Sequence, residues 1–148
     1  MRTTAFLVVM LVTLDARAEK KAISPPEFAA RPNPNFSPGI LVDGTLYISG
    51  QLGTDLKTGE LPQEFEAEVK NSLDSIGIIL RAAGMTYDDV VSAQVYMTDT
   101  SLFARMNAVY TSVMKEPRPA RTTVGVAKLA NPNARIEITM TARKSRRR

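Results

Sequence analysis

The sequence predicts an α+β domain in the order ββαβαββ, a single mixed sheet with two helices on one face. Three observations carry that expectation. An Asp43-Gly44 pair separates two β-prone runs, residues 40–42 and 45–49. Two stretches, 62–83 and 102–114, repeat apolar residues at spacings of three and four, the period of a one-sided helix. Each is followed by a strand-like run, at 90–97 and 122–127, and a last run lies at 136–141.

Asp-Gly suits a two-residue hairpin turn because both residues reach positive φ at low cost. Beyond it, Leu46 and Ile48 alternate with Tyr47 and Ser49. Gly50 then marks a place where a strand without a side chain admits another group. The first helix carries Phe65, Val69, Leu73, Ile76, Leu80 and Ala83 on one stripe. Pro62 and the acidic Glu64, Glu66 and Glu68 favour its N-terminal end, and Gly84 its stop. In the run 90–97, Val91, Ala93, Val95 and Met97 are expected on one face. The second helix carries Phe103, Met106, Tyr110 and Val113, and Pro117 and Pro119 end it. Strand–helix–strand units of this kind favour parallel neighbours and right-handed crossovers. The last two runs flank an Asn131-Pro132-Asn133 turn. Paired as an antiparallel hairpin, they would bring Arg121 and Glu137 together on one small surface. A guanidinium there can grip a carboxylate, and a carboxylate can steer water. A chain this short has no third layer for the other sheet face, so self-association is expected.

The 148 residues suggest one domain. Cys, His and Trp are absent, which excludes a thiol nucleophile, a disulfide, a histidine metal site and a Ser-His-Asp triad. The net charge of +4 is concentrated in residues 143–148, a basic tail with five positive charges. It reads as a solvated end. No aromatic residues interleave it to stack bases, so nucleic acid is not expected as a partner. Residues 1–18 have the pattern of a signal peptide: Arg2, an apolar run over 5–14, and Ala16-Arg17-Ala18 before the cut. The run is too short to span a bilayer. The mature chain is therefore expected in the periplasm or outside the cell, without membrane attachment. Residues 19–35 form a linker in which Pro25, Pro26, Pro32 and Pro34 argue against helix and central strand. The domain proper is expected over 36–142.

Several short pieces together match a known family: Thr45-Leu46-Tyr47-Ile48-Ser49-Gly50-Gln51, Lys57-Thr58-Gly59-Glu60, Asn71-Ser72-Leu73, Ala82-Ala83-Gly84-Met85, Met106-Asn107, Pro119-Ala120-Arg121-Thr122 and Ile136-Glu137-Ile138. Each is weak alone, but their order and spacing are specific. The chain resembles the Rid (RidA/YjgF) family of reactive-intermediate deaminases from about Phe36 to Ala142. The resemblance implies a chorismate-mutase-like homotrimer with clefts between subunits. It also implies hydrolysis of 2-enamine and 2-imine carboxylates, of the 2-aminoacrylate type, to 2-keto acids and ammonia, with no cofactor or metal. On that resemblance Arg121 clamps the substrate carboxylate and Glu137 positions water. Ser49, Gly50 and Asn107 line the pocket. Two positions depart from the pattern. Phe36 stands where the family has a pocket tyrosine. Thr123 replaces a frequent cysteine, whose role its main-chain carbonyl can fill.

Two other functions compete with the deaminase. A non-catalytic binding protein for small carboxylates would use the same cleft, and the missing tyrosine hydroxyl and the expected export favour it. RNA cleavage, also attributed to the family as endoribonuclease or translation-inhibitor activity, would have to run without histidine and is the weaker reading.

Overall fold

A computed structural model of the chain describes residues 19–30 and 32–144. The leader expected at 1–18 and residues 145–148 of the basic tail lie outside the described residues. The elements in chain order are β1 (Lys21–Ile23), β2 (Gly39–Val42), β3 (Thr45–Leu52), α1 (Phe65–Ala82), β4 (Val90–Met97), α2 (Phe103–Val113), β5 (Ala120–Gly125) and β6 (Ile136–Arg143). Asp43 and Gly44 take φ of 49° and 73° and close β2 onto β3 with Val42 opposite Thr45, the two-residue hairpin that their chemistry favours.

The linker is not free of structure. Its residues ahead of the prolines form β1, antiparallel to β2, and Ile23 reaches the core. Three residues carry too little periodicity to be recognised, yet they satisfy an otherwise open edge of β2. At the other end Arg143 still belongs to β6, opposite Thr45, and Lys144 N–H donates to the Gly44 carbonyl at 3.0 Å. The sheet therefore takes the first two residues of the expected basic tail.

The sheet order is β1-β2-β3-β6-β4-β5. Only β4 and β5 run parallel, joined through α2. The hairpin expected between the last two strands does not form. β6 inserts between β3 and β4, antiparallel to both. Burial explains the exchange. In β6, Ile136, Ile138, Met140 and Ala142 are all buried, so this strand takes the centre. No residue of β5 is buried, and it lies at the edge.

Both helices pack on one sheet face. The stripe from Phe65 through Leu80 is buried, and Met106 and Tyr110 bring α2 onto the same core. In β4 the core face is Ala93, Val95 and Met97 as expected, but Val91 is 50% exposed. A bulge between Val90 and Ser92 shifts the alternation, so Val90 faces inward in its place. Among the described residues no helix covers the other sheet face, and the loop over 126–130 borders it only at Glu137. Tyr47, Val91 and Val124 are the large exposed apolar residues of the strands.

Candidate active site

Arg121 lies on edge strand β5 opposite Ala93, a core-face residue of β4, and therefore points to the helix side. Its Nη2 donates to Asn107 Oδ1 at 2.7 Å. Its guanidinium carbon lies 4.5 Å from the Tyr110 ring centroid and 5.7 Å from that of Phe103. One helix thus supplies an amide and two aromatic faces that fix the cation in place. Asn107, expected to touch substrate, here orients Arg121. Tyr110 Oη and Thr123 Oγ1 are buried without a hydrogen-bond partner among the described residues. Burial raises the Tyr110 phenol, against the opposing pull of Arg121 and Arg118.

Glu137 lies elsewhere. It sits opposite Tyr96 on β6, between Ile136 and Ile138 of the core face, so its side chain rises from the uncovered face. Arg121 and Glu137 of one chain are thus on opposite faces of the sheet, with β4 between their strands. The expected single surface is absent because β6 moved to the centre. Glu137 Oε1 lies over Gly50, where an added Cβ would stand only 1.8 Å away. Close approach is what Gly50 was expected to permit, and Glu137 is the group that uses it. Among the described residues the Glu137 carboxylate makes no ion pair or hydrogen bond, and burial pushes it above the ordinary range. A cavity of about 430 Å³ opens there, walled by Gly50, Tyr96, Lys128, Glu137 and Thr139.

Ser49 does not face that cavity freely. Its Oγ donates to the Pro38 carbonyl at 3.0 Å and accepts from Gln51 Nε2 at 3.1 Å. It fastens the proline-rich arm to β3. Phe36 is 53% exposed and lies with Gly50 in the wall of a second cavity beneath that arm.

Sequence reasoning missed one strong contact. Arg135 pairs with Glu68 of α1 and with none of the site residues. Glu68, fully buried, accepts from Arg135 Nε at 2.6 Å, from Arg135 N–H at 2.7 Å and from Ile136 N–H at 3.3 Å. This clamp fixes the first residues of β6 just ahead of Glu137. A single glutamate among three acidic residues at a helix start gave no signal for it.

Residues 28–144 match the family model described as Endoribonuclease L-PSP. The chain belongs to that family, the Rid (YjgF/RutC) proteins. It is 41% identical over 120 residues to the 2-iminobutanoate/2-iminopropanoate deaminase of Bos taurus, covering 80% of this chain and 86% of the relative. It is 39% identical over 120 residues to a RutC family protein of Saccharolobus solfataricus, covering 80% and 94%. Among solved structures, the YjgF gene product of E. coli superposes with a TM-score of 0.78 at 33% identity, covering 84% of this chain and 99% of that one. RidA from an Antarctic Psychrobacter superposes with a TM-score of 0.74 at 36% identity, covering 82% and 94%. The Rid fold expected from the motifs is therefore the fold of this chain.

Proposed function

We propose that this Rid protein hydrolyses reactive 2-imino carboxylates to 2-keto acids and ammonia, in a site completed between copies of the chain. The observation that carries the reading is Glu137, a carboxylate without a partner among the described residues and held over Gly50, which has no side chain to fill the space. Arg121 supplies the complementary half. It is pre-oriented at a sheet edge and retains N–H donors beyond the one given to Asn107. The two halves lie on opposite faces of one chain, so a single site needs Arg121 from one copy and Glu137 from another. The uncovered sheet face with Tyr47, Val91 and Val124 gives a second copy an apolar surface to cover. The proposed assembly is a homotrimer.

In this scheme Arg121 binds the substrate carboxylate through paired N–H donors. The imine carbon then lies against Gly50. Glu137 takes a proton from water as its oxygen bonds to that carbon, and the C=N pair moves onto nitrogen. Glu137 returns that proton to nitrogen, which gives the carbinolamine. It then carries the hydroxyl proton to nitrogen as the C–N bond breaks, so ammonia leaves and the hydroxyl oxygen becomes the keto oxygen. The balance is one imine and one water to one keto acid and one ammonia. Positioning supplies most of the acceleration in so easy a reaction, and no cofactor enters. The deaminase name of the bovine relative supports the same chemistry. Export of the mature chain, read from residues 1–18, is part of this proposal, and N-terminal sequencing from the native host would find Glu19 first.

The test generates the imine in situ with an amino-acid oxidase and follows keto-acid release against trapping by semicarbazide. Wild type should divert the imine from the trap, while Arg121→Ala and Glu137→Gln should not. Wild type that binds pyruvate yet leaves trapping unchanged would replace the deaminase with the carboxylate-binding reading.

A further inference from the structure

The chain leaves β5 and reaches β6 by crossing the end of β4, which lies between them, and the crossing is pinned at both ends. At its start the Val126 N–H donates to the Met97 carbonyl at 2.8 Å. At its end Asn131 Oδ1 accepts from the Asn133 N–H at 3.0 Å, and the Asn131 carbonyl accepts from the Ala134 N–H at 3.1 Å. Asparagine closes a turn on its own backbone in this way. Between these anchors the crossing presents Lys128, an exposed residue that walls the Glu137 cavity together with Gly50, Tyr96 and Thr139.

Lys128 and Glu137 are the charged residues of that wall. Opposite charges in so small a space usually pair, yet among the described residues neither side chain makes an ion pair. Burial alone displaces the Glu137 carboxyl, so no cation stands close enough to hold its charge. The cavity therefore has a proton acceptor in one part of its wall and an uncommitted ammonium in another. Its volume of about 430 Å³ is that of a small-molecule site and leaves room for a short carbon chain between them.

The deamination scheme uses one cation, Arg121, and leaves Lys128 without a role. A substrate with its α-carboxylate on Arg121 of one copy and its C=N carbon against Gly50 of the next has only its side chain left to meet Lys128. An apolar side chain gains nothing from an ammonium, and a basic one is repelled. A carboxylate matches it in charge, and a second copy that closes the cleft removes the water that would screen the pair.

Resting on the deaminase reading, we infer that Lys128 is a specificity-determining residue, which binds the side-chain carboxylate of a dicarboxylic 2-imino acid and so favours the imines of acidic amino acids over those of neutral ones. Proton transfer stays with Glu137.

Calorimetry of the full chain tests this with 2-oxoglutarate and 5-methyl-2-oxohexanoate, in which an isopropyl group of similar shape replaces the distal carboxylate. Wild type should bind the diacid more tightly. Lys128→Met keeps the stem and removes the charge, and it should lower the diacid-to-isostere affinity ratio about tenfold, the loss of one hydrogen bond between charged groups. Lys128→Arg should hold the ratio, and Lys128→Glu should lower it further. Lys128 is exposed, so these substitutions leave the core untouched. Arg121→Ala should weaken both ligands by a similar factor. Equal affinities in wild type, with both ligands sensitive to Arg121→Ala, would overturn the role of Lys128 and leave the deaminase reading standing. A ratio that Lys128→Met leaves unchanged would also overturn it, by giving the second carboxylate to another group or the ammonium to the shared α-carboxylate. Absence of binding for both ligands would overturn the carboxylate site and the role of Lys128 with it.

Discussion

A cation that must meet a carboxylate in one geometry cannot be left on a free four-bond stem. Arg121 is held by the Tyr110 and Phe103 rings and by Asn107, so most of the cost of ordering it is met before ligand arrives. Tyr110 divides that role into two separable parts. Its hydroxyl is buried and unpartnered among the described residues, so Tyr110→Phe should leave keto-acid affinity unchanged and leave stability equal or higher. Tyr110→Leu removes the aromatic face and should cost about 0.5–2 kcal/mol of binding. Isothermal titration on the two variants checks this, and equal losses would argue against the stacked arginine. Glu137 carries a second residue-scale consequence. Its carboxyl is raised by burial, so the folded state holds that proton more tightly than the unfolded chain does. Stability then falls as pH rises from the ordinary value of 4.5 through the folded-state value, because the charged form is the disfavoured one. Glu137→Gln should therefore melt higher than wild type at neutral pH, and the difference should close below pH 4.5. A lower melting temperature for the variant at pH 7 would mean that the charge is compensated.

At the scale of elements, the contact that most constrains the site is the Glu68–Arg135 clamp between α1 and the start of β6. Removing one partner of a buried pair strands the other. Arg135→Ala should cost about 3 kcal/mol, the low end of the usual range, since two backbone N–H groups still reach Glu68. Urea denaturation gives the stability, and turnover should fall with it if β6 carries Glu137 out of register. A loss below about 1 kcal/mol would place the pair among exposed ion pairs that contribute little. The elements themselves were largely legible beforehand. The α1 stripe follows from spacing, and the β2–β3 turn follows from Asp43-Gly44. Strand order was not legible. Nothing local in β5 says that it pairs with β4 in place of β6. That choice follows from burial, which depends on where α2 returns the chain. β1 escaped because three residues ahead of a run of prolines show no period. The site divides the same way. Arg121, Glu137 and Gly50 stand out by motif, but the placement of Arg121 and Glu137 on opposite faces depends on the strand order.

For the whole molecule, that separation has a consequence that no single variant reveals. If each site takes Arg121 from one copy and Glu137 from the next, two inactive variants can repair one another. Arg121→Ala keeps a good Glu137, and Glu137→Gln keeps a good Arg121. Co-expressed in equal amounts, they assemble at random, and at any interface the order that joins the two intact residues arises about one time in four in a closed ring of any size. The mixed protein should recover about a quarter of wild-type turnover, with each parent inactive alone. If covering Tyr47, Val91 and Val124 drives the assembly, light scattering should give a trimer for the mixture and for both parents. A mixture that scatters as a trimer and stays inactive would place both residues of the site in one chain, against the opposite faces on which Arg121 and Glu137 stand.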